Sequence, residues 1–218
     1  MSGVLDRWAE EAQTRCTPTG GSDVKRVAVA LGVLIALGSA AGGQATVLVF
    51  QAAPGGSCSL GEYGDRVEAP VQTGCQYGAK GGFTPNVRVE FLSDLKTWGG
   101  GGYGDLRAPT VYAANNGVIQ VTLTADRGFQ VVLKSFNLGG WQYADYRVKS
   151  VQVIGDGGRV LFSRRMVRVR GAGPSHTSFT LTGVAGRVLK LRVDSRNLGS
   201  SESDNVGIDD IVFSQRRR

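Results

Sequence analysis

Val188-Leu189-Lys190-Leu191-Arg192-Val193 alternates apolar and polar side chains. A period of two sends Leu189, Leu191 and Val193 to one side of an extended chain and Lys190 and Arg192 to the other, which is the signature of a strand with one buried face. Val151-Gln152-Val153 repeats the pattern, and Asp156-Gly157-Gly158 follows it with a hairpin-turn signal. Working outward, further strands are predicted at Thr46–Gln51, Asn86–Phe91, Ala108–Tyr112, Val118–Ala125, Phe129–Phe136, Tyr146–Ile154, Val160–Ser163, Val167–Arg170, Ser178–Thr182 and Val206–Ser214. Glycine-rich turns separate them, and no amphipathic helix of three turns can be drawn after Thr46. Many short strands without intervening helices predict an all-β domain over 46–215, an antiparallel two-sheet sandwich, with a barrel as the alternative. No fixed repeat is visible, which argues against a propeller or β-helix.

Composition agrees. The chain has 218 residues, 41% of them apolar, enough for a packed core, and its 33 glycines follow no Gly-X-Y period. A single histidine, His176, and three cysteines disfavour a His-rich metal site, a zinc ribbon or a histidine-paired triad.

The N-terminal part reads differently. Lys25-Arg26 precede an apolar run from Val27 to Leu37, then small residues through Ala45, in the form of a signal peptide over 25–45 with an N-terminal signal helix. The run is short of the roughly 20 residues that span a bilayer, so cleavage is expected rather than a permanent membrane anchor. Residues 1–24 form an unusually long leader, or a misassigned start with Val24 as the initiation site; the alternative is a cytoplasmic extension on an uncleaved anchor. The expected destination is the periplasm or the extracellular space.

The leader's charges balance, so the net charge of +7 falls on the exported part, in Arg164, Arg165, Arg168, Arg170 and a basic tail at 216–218. An anionic surface is one candidate partner; solvated strand faces and a solubilising tail are the alternative. Nucleic acid is not expected, because the basic residues interleave with strand-forming apolar ones. Cys58 and Cys75, seventeen positions apart, are expected to pair in an oxidising compartment. Such a loop closure contributes about 3 kcal/mol in the chain-entropy account.

A set of segments carries a family resemblance: Tyr63-Gly64-Asp65-Arg66-Val67, Thr84-Pro85-Asn86-Val87, Gly102-Tyr103-Gly104-Asp105-Leu106, Leu123-Thr124-Ala125-Asp126, Ser135 to Trp141, and Asn205 to Gln215. In order, they resemble bacterial exported ectodomains of the PEP-CTERM type, jelly-roll sandwiches related in shape to galactose-binding-like and carbohydrate-binding modules. The resemblance implies a jelly roll that binds carbohydrate or exopolysaccharide, or serves in the cell envelope or extracellular matrix. Gln215 leads straight to Arg216-Arg217-Arg218, a departure from members that continue into a Pro-Glu-Pro sorting tail.

The resemblance also implies a structural calcium near the first and last strands, with Asp209 supplying one carboxylate. Gln51 stands where a second acid is expected, and calcium wants six to eight oxygens. Asp209 can instead tie down the last strand by accepting backbone N–H bonds. Asp65 and Asp105 each follow a Tyr-Gly pair and read first as turn caps. Trp98, Tyr103, Trp141, Tyr143 and Tyr146 lie in or beside glycine-rich loops, where exposed rings would stack on a pyranose; Trp141 and Tyr146 can equally cap one end of the core. No pair of carboxylates is singled out for glycoside cleavage, and Ser175-His176 lacks a nucleophile elbow. The expected function is therefore non-catalytic carbohydrate binding, with a structural surface protein and a glycan-active hydrolase or lyase as alternatives.

Overall fold

The computed structural model describes residues 45–50 and 84–218, together with the backbone of Arg66–Val67. The signal segment, the leader, Gln51, Asp65, Cys58 and Cys75 lie outside the described residues.

Thirteen strands are described: β1 (Thr46–Leu48), β2 (Arg66–Val67), β3 (Thr84–Phe91), β4 (Leu95–Trp98), β5 (Thr110–Ala113), β6 (Val118–Ala125), β7 (Phe129–Gly140), β8 (Tyr146–Ile154), β9 (Val160–Val169), β10 (Thr177–Thr180), β11 (Ala185–Gly186), β12 (Val188–Asp194) and β13 (Val206–Arg217). One sheet runs β10-β7-β13-β5-β4, with β1 on β13 and β11 on β7; the other runs β2-β3-β6-β12-β8-β9. Every pairing is antiparallel. The protein is an all-β two-sheet sandwich.

Its connectivity follows from folding one long hairpin over itself. Among β5 to β10, β12 and β13, the first pairs with the last (β5·β13), the next inward is β6·β12, then β7·β10, and β8·β9 closes the series. That nesting, split over two sheets, is a jelly roll. The core lies between the sheets, where Leu189, Leu191, Val193, Val151 and Val153 are fully buried beside Phe136, Ile208 and Phe213. The alternation that predicted β12 is thus the alternation that fills the interior.

Four local expectations need correction. Val160–Ser163 and Val167–Arg170 are one strand, β9, because no turn residue interrupts Arg164-Arg165; the irregularity is absorbed at Met166, whose φ is +49°. Leu95–Trp98 is a strand paired with β5, although the glycines after Trp98 suggested a loop. The first strand stops at Leu48, and Phe50 turns away at φ +54°. The basic tail is largely strand: β13 runs to Arg217, Arg216 donates to Gln130 Oε1 at 3.1 and 3.2 Å, and Arg217 lies over the Phe129 ring.

β13 also resets its own register. Strict alternation from Ile208 would turn Asp210 and Val212 inward, but a bulge between Asp209 and Val212, with Asp210 at φ +51°, delivers Ile211 and Phe213 to the core instead.

Candidate functional site

The predicted aromatics converge at one end of the sandwich. Trp98 closes β4, the 99–107 segment follows it, Trp141–Tyr143 form a 3-10 turn after β7, and the 170–176 and 202–205 segments complete the group. Backbone hydrogen bonds lock these segments together. Tyr143 N–H donates to Gly102 O at 3.3 Å, Trp141 N–H to Asn205 O at 2.9 Å and Gly140 N–H to Arg170 O at 3.1 Å.

Four rings then form a chain. Trp98 meets Trp141 edge-on with centroids 5.2 Å apart, Trp141 meets Tyr103 at 4.9 Å, and Tyr103 meets Tyr112 at 6.1 Å. Trp98 Nε1 donates to Gly101 O at 2.9 Å, which fixes the indole while leaving it 41% exposed. Tyr143 is 60% exposed. Both it and Gln142 hold left-handed backbone, at φ +55° and +51°, a conformation that costs a non-glycine residue about 1 kcal/mol or more.

Tyr103 departs from the sequence-based expectation. Only 4% exposed, it donates its hydroxyl to Asp204 O at 3.0 Å, and burial, with the nearby Tyr112 and Asp204, pushes its phenol well above the ordinary value. Its ring seats on β13, where a Cβ at Gly207 would lie 2.9 Å from it and 2.4 Å from Thr110 Cγ2. Tyr103 is therefore the support under Trp141 rather than a ligand-facing ring. Tyr112 belongs to the same stack and was missed, because a tyrosine inside a strand gives no loop signal.

The loops around the rings are held by two carboxylates that the sequence left unassigned or misassigned. Asp145 Oδ1 accepts from Gly171 N–H at 2.9 Å and Ala172 N–H at 3.0 Å, and Oδ2 accepts from Arg168 Nε at 2.8 Å. Those bonds, the Ala172 and Gly171 amides first and Arg168 after them, hold its pKa down at about 2. Asp105, expected to cap a turn, instead meets His176 Nδ1 at 2.6 Å. Ser175 Oγ donates to Ala172 O at 2.9 Å, so the hydroxyl next to His176 is committed to its own turn. The pair can bind a sugar hydroxyl, and the neighbouring Ser175 hydroxyl is not directed at it.

Asp209 is in place on β13 and fully buried. Oδ1 accepts from Asp210 N–H at 2.8 Å, as the strand-tying reading predicts, while Oδ2 has no hydrogen-bond partner. Burial, reinforced by the Asp210 charge, pushes its pKa up to about 8 against the opposing Asp210 N–H and Arg107. Among the described residues no three His, Cys, Asp or Glu side chains group to hold a metal. Asp209 brings one unpartnered oxygen, opposed by the Arg107 charge, and Gln51, the other residue of the implied calcium site, lies outside the described residues. In comparisons with known proteins, no family model matches this chain, and no curated relative matches it either.

Proposed function

We propose that this chain is an exported, non-catalytic jelly-roll domain that binds carbohydrate at the end carrying Trp98, Trp141 and Tyr143. The observation that supports it is the build of that end. A buried ring, Tyr103, props up Trp141; Trp141 props up an exposed Trp98; and a strained turn displays Tyr143. Exposed rings on a rigid support stack on the apolar face of a pyranose at little entropic cost, while neighbouring polar groups such as Asp105 and His176 take its hydroxyls. Export remains part of the proposal, resting on the signal-like segment at 25–45.

The test is retention on an affinity gel of a neutral exopolysaccharide, to which the protein's cationic groups contribute no charge attraction. Trp98→Ala removes an exposed ring and leaves the core intact, so it should abolish retention with an unchanged Tm. Equal retention of Trp98→Ala and the parent protein would refute the reading and favour a structural surface protein without sugar affinity.

A further inference from the structure

A second surface, on the other sheet, carries a different chemistry. Because Leu191, Val193, Val151 and Val153 fill the core, their neighbours on β12 and β8 face outward. The registers place Arg192 between Gln120 of β6 and Gln152 of β8, and Ser150 opposite Arg165 of β9. Lys149 turns to the same side, and with Arg165, Arg192 and Arg196 it lines an open groove of about 520 Å³.

The lining holds four cationic side chains and a single carboxylate, Asp194. That carboxylate is already spent on Arg196, which donates to it from Nε at 2.9 Å and from its terminal nitrogen at 2.6 Å. Lys149 also acts on that charge, yet four cations against one carboxylate leave the groove net positive, and Arg192 Nε is buried without a hydrogen-bond partner. An excess of cationic side chains over carboxylates in one groove favours an anionic ligand.

We propose that this groove binds an anionic polysaccharide, a chain carrying carboxylate or sulfate groups. No aromatic ring lines the groove, so there is no platform on which nucleobases would stack. The charges sit in a concavity floored by three strands, β12, β8 and β9, about 10 Å across at about 4.8 Å per strand. That shape takes a linear chain with regularly spaced charges rather than a flat lipid surface. Gln120 and Gln152 flank Arg192 with amides suited to sugar hydroxyls. The inference is independent of the aromatic-end reading, since it uses a different sheet and no ring.

The experiment is affinity electrophoresis of the full chain at about 0.15 M salt through gels containing polygalacturonate, heparin, duplex DNA or neutral dextran. Polygalacturonate and heparin separate carboxylate from sulfate as the preferred group. The variants are Lys149→Gln/Arg165→Gln, whose side chains are exposed, and Arg192→Gln, with Arg216→Gln/Arg217→Gln as a control for net charge. Roughly tenfold weaker retention of both groove variants on at least one polyanion, against less than about twofold for the control, is expected. Trp98→Ala should leave polyanion retention unchanged, so failure of this inference is distinguishable from failure of the aromatic site. Equal losses for groove and control variants would overturn the proposal. So would absence of retention by the parent protein on both polyanions, or equally tight retention on duplex DNA.

Discussion

Asp209 offers the sharpest test of the interior. Its carboxyl is fully buried with one oxygen unpartnered, and its pKa stands at about 8 against 3.8 for a free side chain. The folded protein therefore keeps a proton that the unfolded chain has lost throughout the interval between those values. Stability from this group is fully present below about pH 4, falls as pH rises through the interval, and levels off above about pH 8. At about 1.4 kcal/mol per pH unit, the three units up to pH 7 correspond to about 4 kcal/mol. Asp209→Asn keeps the shape and the acceptor for Asp210 N–H but cannot ionise. Urea unfolding of both proteins from pH 4.5 to 8.5, followed by tryptophan fluorescence, should show the variant gaining on the parent by about 1.4 kcal/mol per unit up to about pH 8. A difference independent of pH would refute the argument and mean that Arg107 holds the carboxylate ionised throughout. Loss of the difference on adding calcium would refute it too, by showing that an ion rather than a proton neutralises the site.

Other outcomes follow from the same geometry. Gly207→Ala drives a Cβ to 2.4 Å from Thr110 Cγ2 and 2.9 Å from the Tyr103 ring, so it should destabilise the domain by about 1–3 kcal/mol in thermal unfolding; a Tm within a degree of the parent would show that Tyr103 is not seated on β13. Asp145 has its pKa depressed to about 2, so its hold on the 170–176 segment is complete above about pH 4 and is lost as pH falls through about 2. Hydrogen exchange at the Gly171 and Ala172 amides should accelerate across that window, and Asp145→Asn should weaken the dependence; pH-independent protection would contradict the assignment.

What was legible in the sequence is what period-two burial writes directly. β6 and β8 appear at the predicted limits, and β12 differs by its last residue, because in each an apolar face meets the core and a polar face meets solvent. β9 is an edge strand, mostly exposed on both faces, so its basic middle carries no alternation to read. β4 was hidden because its only buried side chain is Leu95. The site divides the same way. Glycine-rich flanks marked Trp98, Trp141 and Tyr143 as loop aromatics, but neither their meeting at one end nor whether a ring in such a loop faces out or in is written locally, since both depend on partners far along the chain. For Tyr103 that partner is Gly207, a residue with no side chain to announce it. The Asp105–His176 and Asp145–Gly171 contacts join segments that only the nested hairpin brings together. The groove is similarly invisible: Lys149, Arg165 and Arg192 come from three strands that only the pairing brings side by side.

Tyr103 and Asp209 tie the interior to the proposed aromatic site through one strand. Alternation along β13 puts Asp209 on the same side as Gly207, about 7 Å further on at strand spacing, and that is the side Tyr103 and Leu106 cover at Gly207 and Gly139. Arg107, the next residue of the same segment, is near enough to act on the Asp209 charge. The segment that carries Tyr103, and through it Trp141, therefore lies on the same side of β13 as the buried carboxyl and brings a positive charge to bear on it.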